Sequence, residues 1–305
     1  MANRIALYGG PFQNQYNPAA NQQQVEALRN SGINTMILWA LHVNPCGDLF
    51  YNGPPFEVHN GVASPQLLEV APYLTGLRAG GVETILFSIG GWGVGDFRNM
   101  ESLLLSASGR KTLLQNFYGL AEALGVDGFD FDMEEEIAAE TIVQLTELLQ
   151  PAGRQGILTY CPYGQPNGNA LMEALSMVFE RNRVQLVDWF NLQCYSGGAG
   201  QPVGPWIAAV GAEGTGVASL DAPRFIVPGY SVNPTDDEIS QATPVTPEQF
   251  ETFFAGLDAT VEGGFVWNAS LLLDSGFPAA DYGASIANGL AALQEKPQQA
   301  EGETA

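Results

Sequence analysis

Short β-rich runs, each followed by a helical stretch, recur eight times along the chain. They lie at 4–8, 34–41, 83–89, 128–134, 157–161, 186–195, 224–229 and 264–268. Strands that alternate with helices pair in parallel, because a parallel neighbour is reached only through a crossover. Eight such units in 305 residues predict an α/β fold, a single (β/α)8 TIM barrel over 1–295. An open doubly wound sheet is the main alternative. Its phosphate fingerprint is missing: Gly9-Gly10, Gly90-Gly91 and Gly197-Gly198 all lack the G-x-G-x-x-G spacing before a helix.

The helices announce their ends. Ser64-Pro65 reads as an N-cap with proline at the first helical position, and that helix is expected to stop near Gly80-Gly81. Leucines at helical spacing predict one helix over 102–124, closed by Gly125. Further helices are expected over 137–149, 171–179 and 279–293. Thr246-Pro247-Glu248-Gln249 forms a capping box. Only about thirty residues separate the seventh and eighth runs, too few for a small α+β insertion domain by ordinary domain sizes. The tail, 296–305, is rich in Pro, Gln and Glu and is expected to be disordered.

The fourth run carries the chemistry. Asp130, Asp132 and Glu134 alternate with Phe129, Phe131 and Met133. Successive strand side chains point to opposite faces, so the three acids share one face and the apolar residues the other. Acids this close oppose one another's ionisation. That is costly in a core and useful in an acid/base catalyst. A blander reading exists, since Glu134-Glu135-Glu136 would also suit a helix N-terminus. Strict alternation with large apolar residues is not something a helix start requires.

Composition narrows the partners. With 33 acidic against 11 basic residues the net charge is −22, which repels nucleic acid and anionic lipid. No apolar run approaches a membrane span. Three cysteines, Cys46, Cys161 and Cys194, make neither a disulfide framework nor a zinc site. Buried free thiols are expected, and a Cys161–Cys194 pair is left open by their position near the ends of successive strands. The two histidines, His42 and His59, are too few for a His-rich metal site. No cofactor is expected. The chain enters a strand at once, which fits a secreted protein without its leader or a cytoplasmic one.

Catalytic side chains of a barrel sit at the carboxyl ends of its strands. Those ends offer Tyr8; Ser88-Ile89-Gly90-Gly91 followed by Trp92; the three acids; Gln193 and Tyr195; Tyr230; and Trp267-Asn268. Acids ringed by aromatics suit a carbohydrate, whose faces stack on aromatic rings.

These residues resemble glycoside hydrolase family 18, the family of chitinases and endo-β-N-acetylglucosaminidases. Its D-G-x-D-x-D-x-E signature is matched by Asp127, Gly128, Asp130, Asp132 and Glu134, and its S-x-G-G element by Ser88, Gly90 and Gly91. The sixth strand resembles the family's strand ending in Tyr (Tyr195), and the eighth its Gly-rich run ending in Trp (Trp267). The resemblance spans strands three to eight. Where the family usually has Asn or Asp after that Tyr, this chain has Ser196.

The resemblance implies a retaining glycosidase in which the substrate's own acetamido group is the nucleophile. On that pattern Glu134 is the general acid and then the base. Asp132 orients the acetamido N–H, and Asp130 shares a proton with Asp132, the three titrating as a coupled set. Tyr195 donates to the acetamido oxygen and Trp267 floors the sugar pocket. Gln193, Tyr8 and Trp92 are further substrate-binding candidates. The implied substrate is a glycan containing N-acetylglucosamine: chitin or its oligomers, with the chitobiose core of N-glycans as alternative. A non-catalytic chitin-binding lectin is the remaining reading, although family members of that kind typically lack the catalytic Glu. The protein is expected to act as a monomer.

Overall fold

The computed structural model describes residues 3–10, 12, 18–150, 156–211, 220–233 and 243–295. Its strands are β1 (Arg4–Tyr8), β2 (Thr35–Val43), β3 (Leu49–Tyr51), β4 (Glu57–His59), β5 (Val62–Ala63), β6 (Thr84–Gly90), β7 (Gly128–Asp132), β8 (Ile157–Tyr160), β9 (Trp189–Gln193), β10 (Ile226–Ser231) and β11 (Gly263–Trp267). Eight of them pair in parallel in the order β1, β2, β6, β7, β8, β9, β10, β11, and β1 bonds to both β2 and β11. The sheet therefore closes on itself, the barrel expected from the eight runs.

The helices are α1 (Pro18–Leu28), α2 (Pro65–Leu68), α3 (Ala71–Ala79), α4 (Asp96–Leu104), α5 (Ala107–Leu124), α6 (Ala139–Leu149), α7 (Ala170–Asn182), α8 (Gly204–Val210), α9 (Ala222–Phe225), α10 (Pro247–Ala255), α11 (Ala269–Asp274) and α12 (Ala279–Glu295). The Thr246 capping box forms as read: Gln249 N donates to Thr246 Oγ1 at 3.4 Å, and Thr246 N to Gln249 Oε1 at 2.8 Å. Such a cap contributes about 1 kcal/mol. Between β10 and β11 the described residues hold α10 alone.

Two helices expected as single are divided. Ser64 caps α2 through Leu67 N, but Pro72 in the first turn of α3 has no N–H to continue an α2 ladder. The span 102–124 breaks at Leu105-Ser106, where Ser106 turns extended and its hydroxyl accepts from Gly109 N at 2.9 Å. A serine that can cap a new helix competes with its own place inside a longer one.

The excursion after β2 was not read from the sequence. β3 pairs antiparallel with β2, β4 with β3, and β5 with β4. Asn60-Gly61 joins β4 to β5 with both φ angles positive, +51° and +77°, the turn chemistry that favours two-residue hairpins. The excursion is pinned to α5 by Asn116, fully buried. Its side chain accepts from Gly61 N at 2.6 Å and donates to Gly47 O at 2.7 Å.

Apolar residues form two layers. Phe129 and Phe131 of β7 point outward, where Phe117 of α5 and Phe97 of α4 meet them edge-on at 5.0 and 5.5 Å. Inside the barrel lie Ala6, Tyr8, Ile37, Leu86, Cys161, Trp189, Tyr195, Val227 and Phe265. All three cysteines are free, so the Cys161–Cys194 pairing is absent; these two are buried and Cys46 is exposed. The expected tail at 296–305 falls outside the described residues.

Candidate active site at the carboxyl end of the barrel

The alternation of β7 sends Asp130 and Asp132 inward, opposite the phenylalanines. Asp130 is fully buried and lies level with Ser88 of β6 and Thr159 of β8. Four donors converge on it. Tyr8 Oη (3.0 Å) and Ser88 Oγ (2.7 Å) reach Oδ2, while Thr159 Oγ1 (2.5 Å) and Asn191 Nδ2 (2.9 Å) reach Oδ1. Burial pushes the Asp130 carboxyl above its ordinary range, and these donors restrain the rise. None of the four bonds involves Asp132. A carboxylate taking two donors on each oxygen has its acceptor positions filled, while the charge of Asp130 still acts on Asp132.

Asp132 turns the other way. Trp39 Nε1 donates to its Oδ2 and Gln193 Nε2 to its Oδ1, each at 3.0 Å. The same Gln193 nitrogen lies 3.3 Å from Glu134 Oε1, so one amide bridges both acids. Burial drives the Asp132 carboxyl well up, and the charges of Glu134 and Asp130 add to the rise. Glu134 stands two residues beyond the end of β7, half-buried, and burial raises its carboxyl too. A half-buried acid whose carboxyl is raised is suited to give a proton and take one back.

The adjoining glutamates have separate duties. Glu135 faces away from the site, and its carboxylate accepts Phe97 N at 3.0 Å and Arg98 N at 3.3 Å. It thus caps α4, whereas α6, which follows it in sequence, starts only at Ala139. Asp127, the first acid of the signature, is at the opposite end of β7. It accepts from Ile85 N at 2.7 Å and pairs with Arg78 at 2.8 Å, a structural post.

An aromatic wall stands beside the acids. Tyr195 stacks on Trp267 with centroids 5.7 Å apart and planes 16° apart, and Trp39 meets Trp267 edge-on at 5.0 Å. The glycines of the Ser-x-Gly-Gly element make room for this arrangement. A Cβ on Gly90 would lie 2.5 Å from the Asp132 carbonyl oxygen, and one on Gly91 3.1 Å from the Trp39 ring. Both residues have φ above +100°, a region that L side chains avoid.

The other sequence candidates separate. Tyr8 is fully buried beneath Asp130, so it serves the acid rather than an open sugar surface. Trp92 is 79% exposed in the loop between β6 and α4. Tyr230 packs on Phe253 and Phe254 of α10, outside the barrel. His42 pairs with Asp96 at 2.8 Å, and Asn268 caps α11 through Leu271 N at 3.1 Å.

Trp39, Thr159 and Asn191 were missed. Each lies inside a strand read correctly and shares the parity of an inward neighbour: Trp39 with Ile37, Thr159 with Cys161, Asn191 with Gln193. Period-two alternation carried that signal. Among the described residues no group of three or more His, Cys, Asp or Glu is arranged to hold a metal, and no helix is long and apolar enough to cross a membrane.

No family model matches the sequence, and no curated protein matches it. Solved structures do match the fold. A family 18 chitinase from Pseudoalteromonas aurantia superposes with a TM-score of 0.62 at 17% identity, covering 94% of this chain and 100% of its own. A fungal endo-β-N-acetylglucosaminidase of the same family gives 0.64 at 15% identity, covering 92% and 97%. A mutant family 18 chitinase from Cycas revoluta, in complex with (GlcNAc)4, gives 0.54 at 16% identity, covering 93% and 99%. The fold of this chain is the single-domain barrel of those enzymes.

Proposed function

We propose that this chain is a retaining glycoside hydrolase that cleaves β-1,4 bonds in glycans containing N-acetylglucosamine, with the substrate's acetamido group as nucleophile. The observation that carries the reading is the placement of two acids. Glu134, half-buried with its carboxyl raised, stands next to Asp132, which is turned toward it and away from Asp130. The Tyr195–Trp267 wall closes one side. The motif resemblance and the shared fold of chitinases and an endo-β-N-acetylglucosaminidase support the same conclusion.

In the first step Glu134 gives its proton to the glycosidic oxygen as the bond from that oxygen to the anomeric carbon breaks. The acetamido carbonyl oxygen attacks the anomeric carbon and closes an oxazolinium ring. Asp132 accepts the acetamido N–H and offsets the positive charge of that ring, while Tyr195 donates to the acetamido oxygen. In the second step the Glu134 carboxylate takes a proton from water. The hydroxide adds to the anomeric carbon, the ring opens, and the configuration is retained. Asp130 stays behind as a fixed negative charge held by four donors. Trp92, exposed at the rim, offers a second ring for a sugar beyond the cleaved bond.

Chitin and its oligomers are the preferred substrates of this reading. Cleavage in the chitobiose core of N-glycans is the second, favoured by the short β10–β11 connection and by the likeness to the fungal enzyme. Turnover of a fluorogenic chitobioside and release of glycan from a high-mannose glycoprotein, measured side by side, separate the two. Glu134→Gln should fold as the parent does and lose nearly all hydrolysis of either substrate. Wild-type turnover by that variant, or a parent inert toward both, would overturn the proposal; an inert parent that still bound chitooligosaccharides would be a lectin.

A further inference from the structure

The orientation of Asp132 is set from strands on opposite flanks of β7. Trp39 reaches it from β2 across 93 positions of sequence and Gln193 from β9 across 61, both at 3.0 Å. Trp39 is itself locked: its ring meets Trp267 edge-on, and Gly91 leaves no more than contact room beside it. Asp130, the carboxylate toward which Asp132 could otherwise turn, already has its four acceptor positions filled from β1, β6, β8 and β9.

We propose that Trp39 is a positioning residue for the reaction proposed above: its indole N–H holds the Asp132 carboxylate facing Glu134 and the acetamido site. The inference rests on the hydrolase reading. An N–H donor to a carboxylate favours the ionised form, so Trp39 serves both the direction and the charge of Asp132. The titratable groups facing Asp132 are Asp130 on its own strand, Glu134 just beyond it, Tyr8 from β1, and Cys161 and Tyr163 from the end of β8 and the loop after it. All are acids, and each opposes a further charge on Asp132 when ionised.

The test is Trp39→Phe, which keeps an apolar ring against Trp267 and removes the donor. On a fluorogenic chitobioside the variant should lose about tenfold in kcat with KM changed less than about twofold. The acid limb of its kcat/KM profile should move upward by about one pH unit, because Asp132 becomes harder to ionise. A merely structural ring would lower the melting temperature and leave that limb in place. A folded variant with parental kcat and acid limb would overturn the role of Trp39 while leaving the hydrolase intact. An inactive parent would overturn the hydrolase reading instead. A readout independent of turnover covers a variant that does not fold. In 15N spectra of the parent the Trp39 indole N–H should shift as Asp132 titrates, and that shift should vanish in Asp132→Asn. An indole with the same pH response in both proteins would refute the contact.

Discussion

The carboxylate of Glu135 receives the backbone N–H of Phe97 at 3.0 Å, which ties the turn bearing Glu134 to the first turn of α4. The side chain of Glu135 is 5% exposed, so this cap is made out of water. On its other flank α4 is fastened to β2, where Val43 N donates to Asp96 at 2.7 Å and Asn99 donates to Val43 O at 2.8 Å. Two strand ends, those of β2 and β7, thus hold one helix start.

Glu135→Ala should therefore cost about 1–2 kcal/mol in denaturant unfolding, the value of a lost N-terminal cap. It should also lower kcat on the chitobioside, since the Glu134 turn loses its anchor. Glu135→Gln, which keeps an acceptor, should recover most of the stability. An alanine variant with parental stability and turnover would show that the cap fixes neither.

Burial raises the carboxyls of Asp132 and Glu134, and the sign of the stability effect follows. A carboxyl whose folded pKa exceeds its unfolded value binds more protons when folded between those two pKa values. Its contribution is fully present below the unfolded pKa, near 4, and is lost as pH rises through the folded pKa. Replacing Asp132 by Asn removes that loss. Asp132→Asn should melt higher than the parent at neutral pH, on the order of a few °C, and the difference should shrink on acidification to about pH 4. A variant less stable at neutral pH, or a gain that grew with acid, would contradict the raised carboxyl. The gain comes with reduced turnover, as expected where a site holds charge at the expense of stability.

Asn116 bridges the β3–β5 excursion to α5 by two bonds. Asn116→Ala leaves a half-buried N–H on Gly61 and a buried carbonyl on Gly47 without that partner, which should cost about 2–3 kcal/mol. Hydrogen exchange should quicken first at residues 47–63. Uniform exchange across the barrel with unchanged stability would refute the pin.

Much of this architecture was legible. The eight barrel strands fell within a few residues of their expected places because each is a run of five or so apolar, β-favouring residues bounded by turn or helix signals. The excursion escaped because its strands are two or three residues long, below the length at which alternation declares itself. Its signal was the pair of Asn-Gly dipeptides at 52–53 and 60–61, where Asn and Gly both take positive φ. The break at Ser106 was hidden because leucine spacing continues across it, while a cap depends on which N–H groups the hydroxyl meets.

Sequence alone determined that the acids Asp130, Asp132 and Glu134 share a face, that this face lies within a barrel, and that it sits at the carboxyl end. Those are consequences of period-two alternation and of strands joined by helices. Only the tertiary structure decided what each acid does. It gave Asp130 four donors, among them Tyr8 from 122 positions away. It set Trp39 against Asp132, and it turned Glu135 from the helix following it in sequence to cap the one before. Hydrogen bonds reach about 3 Å, and barrel closure alone brings residues from β1, β2 and β9 within that reach of β7.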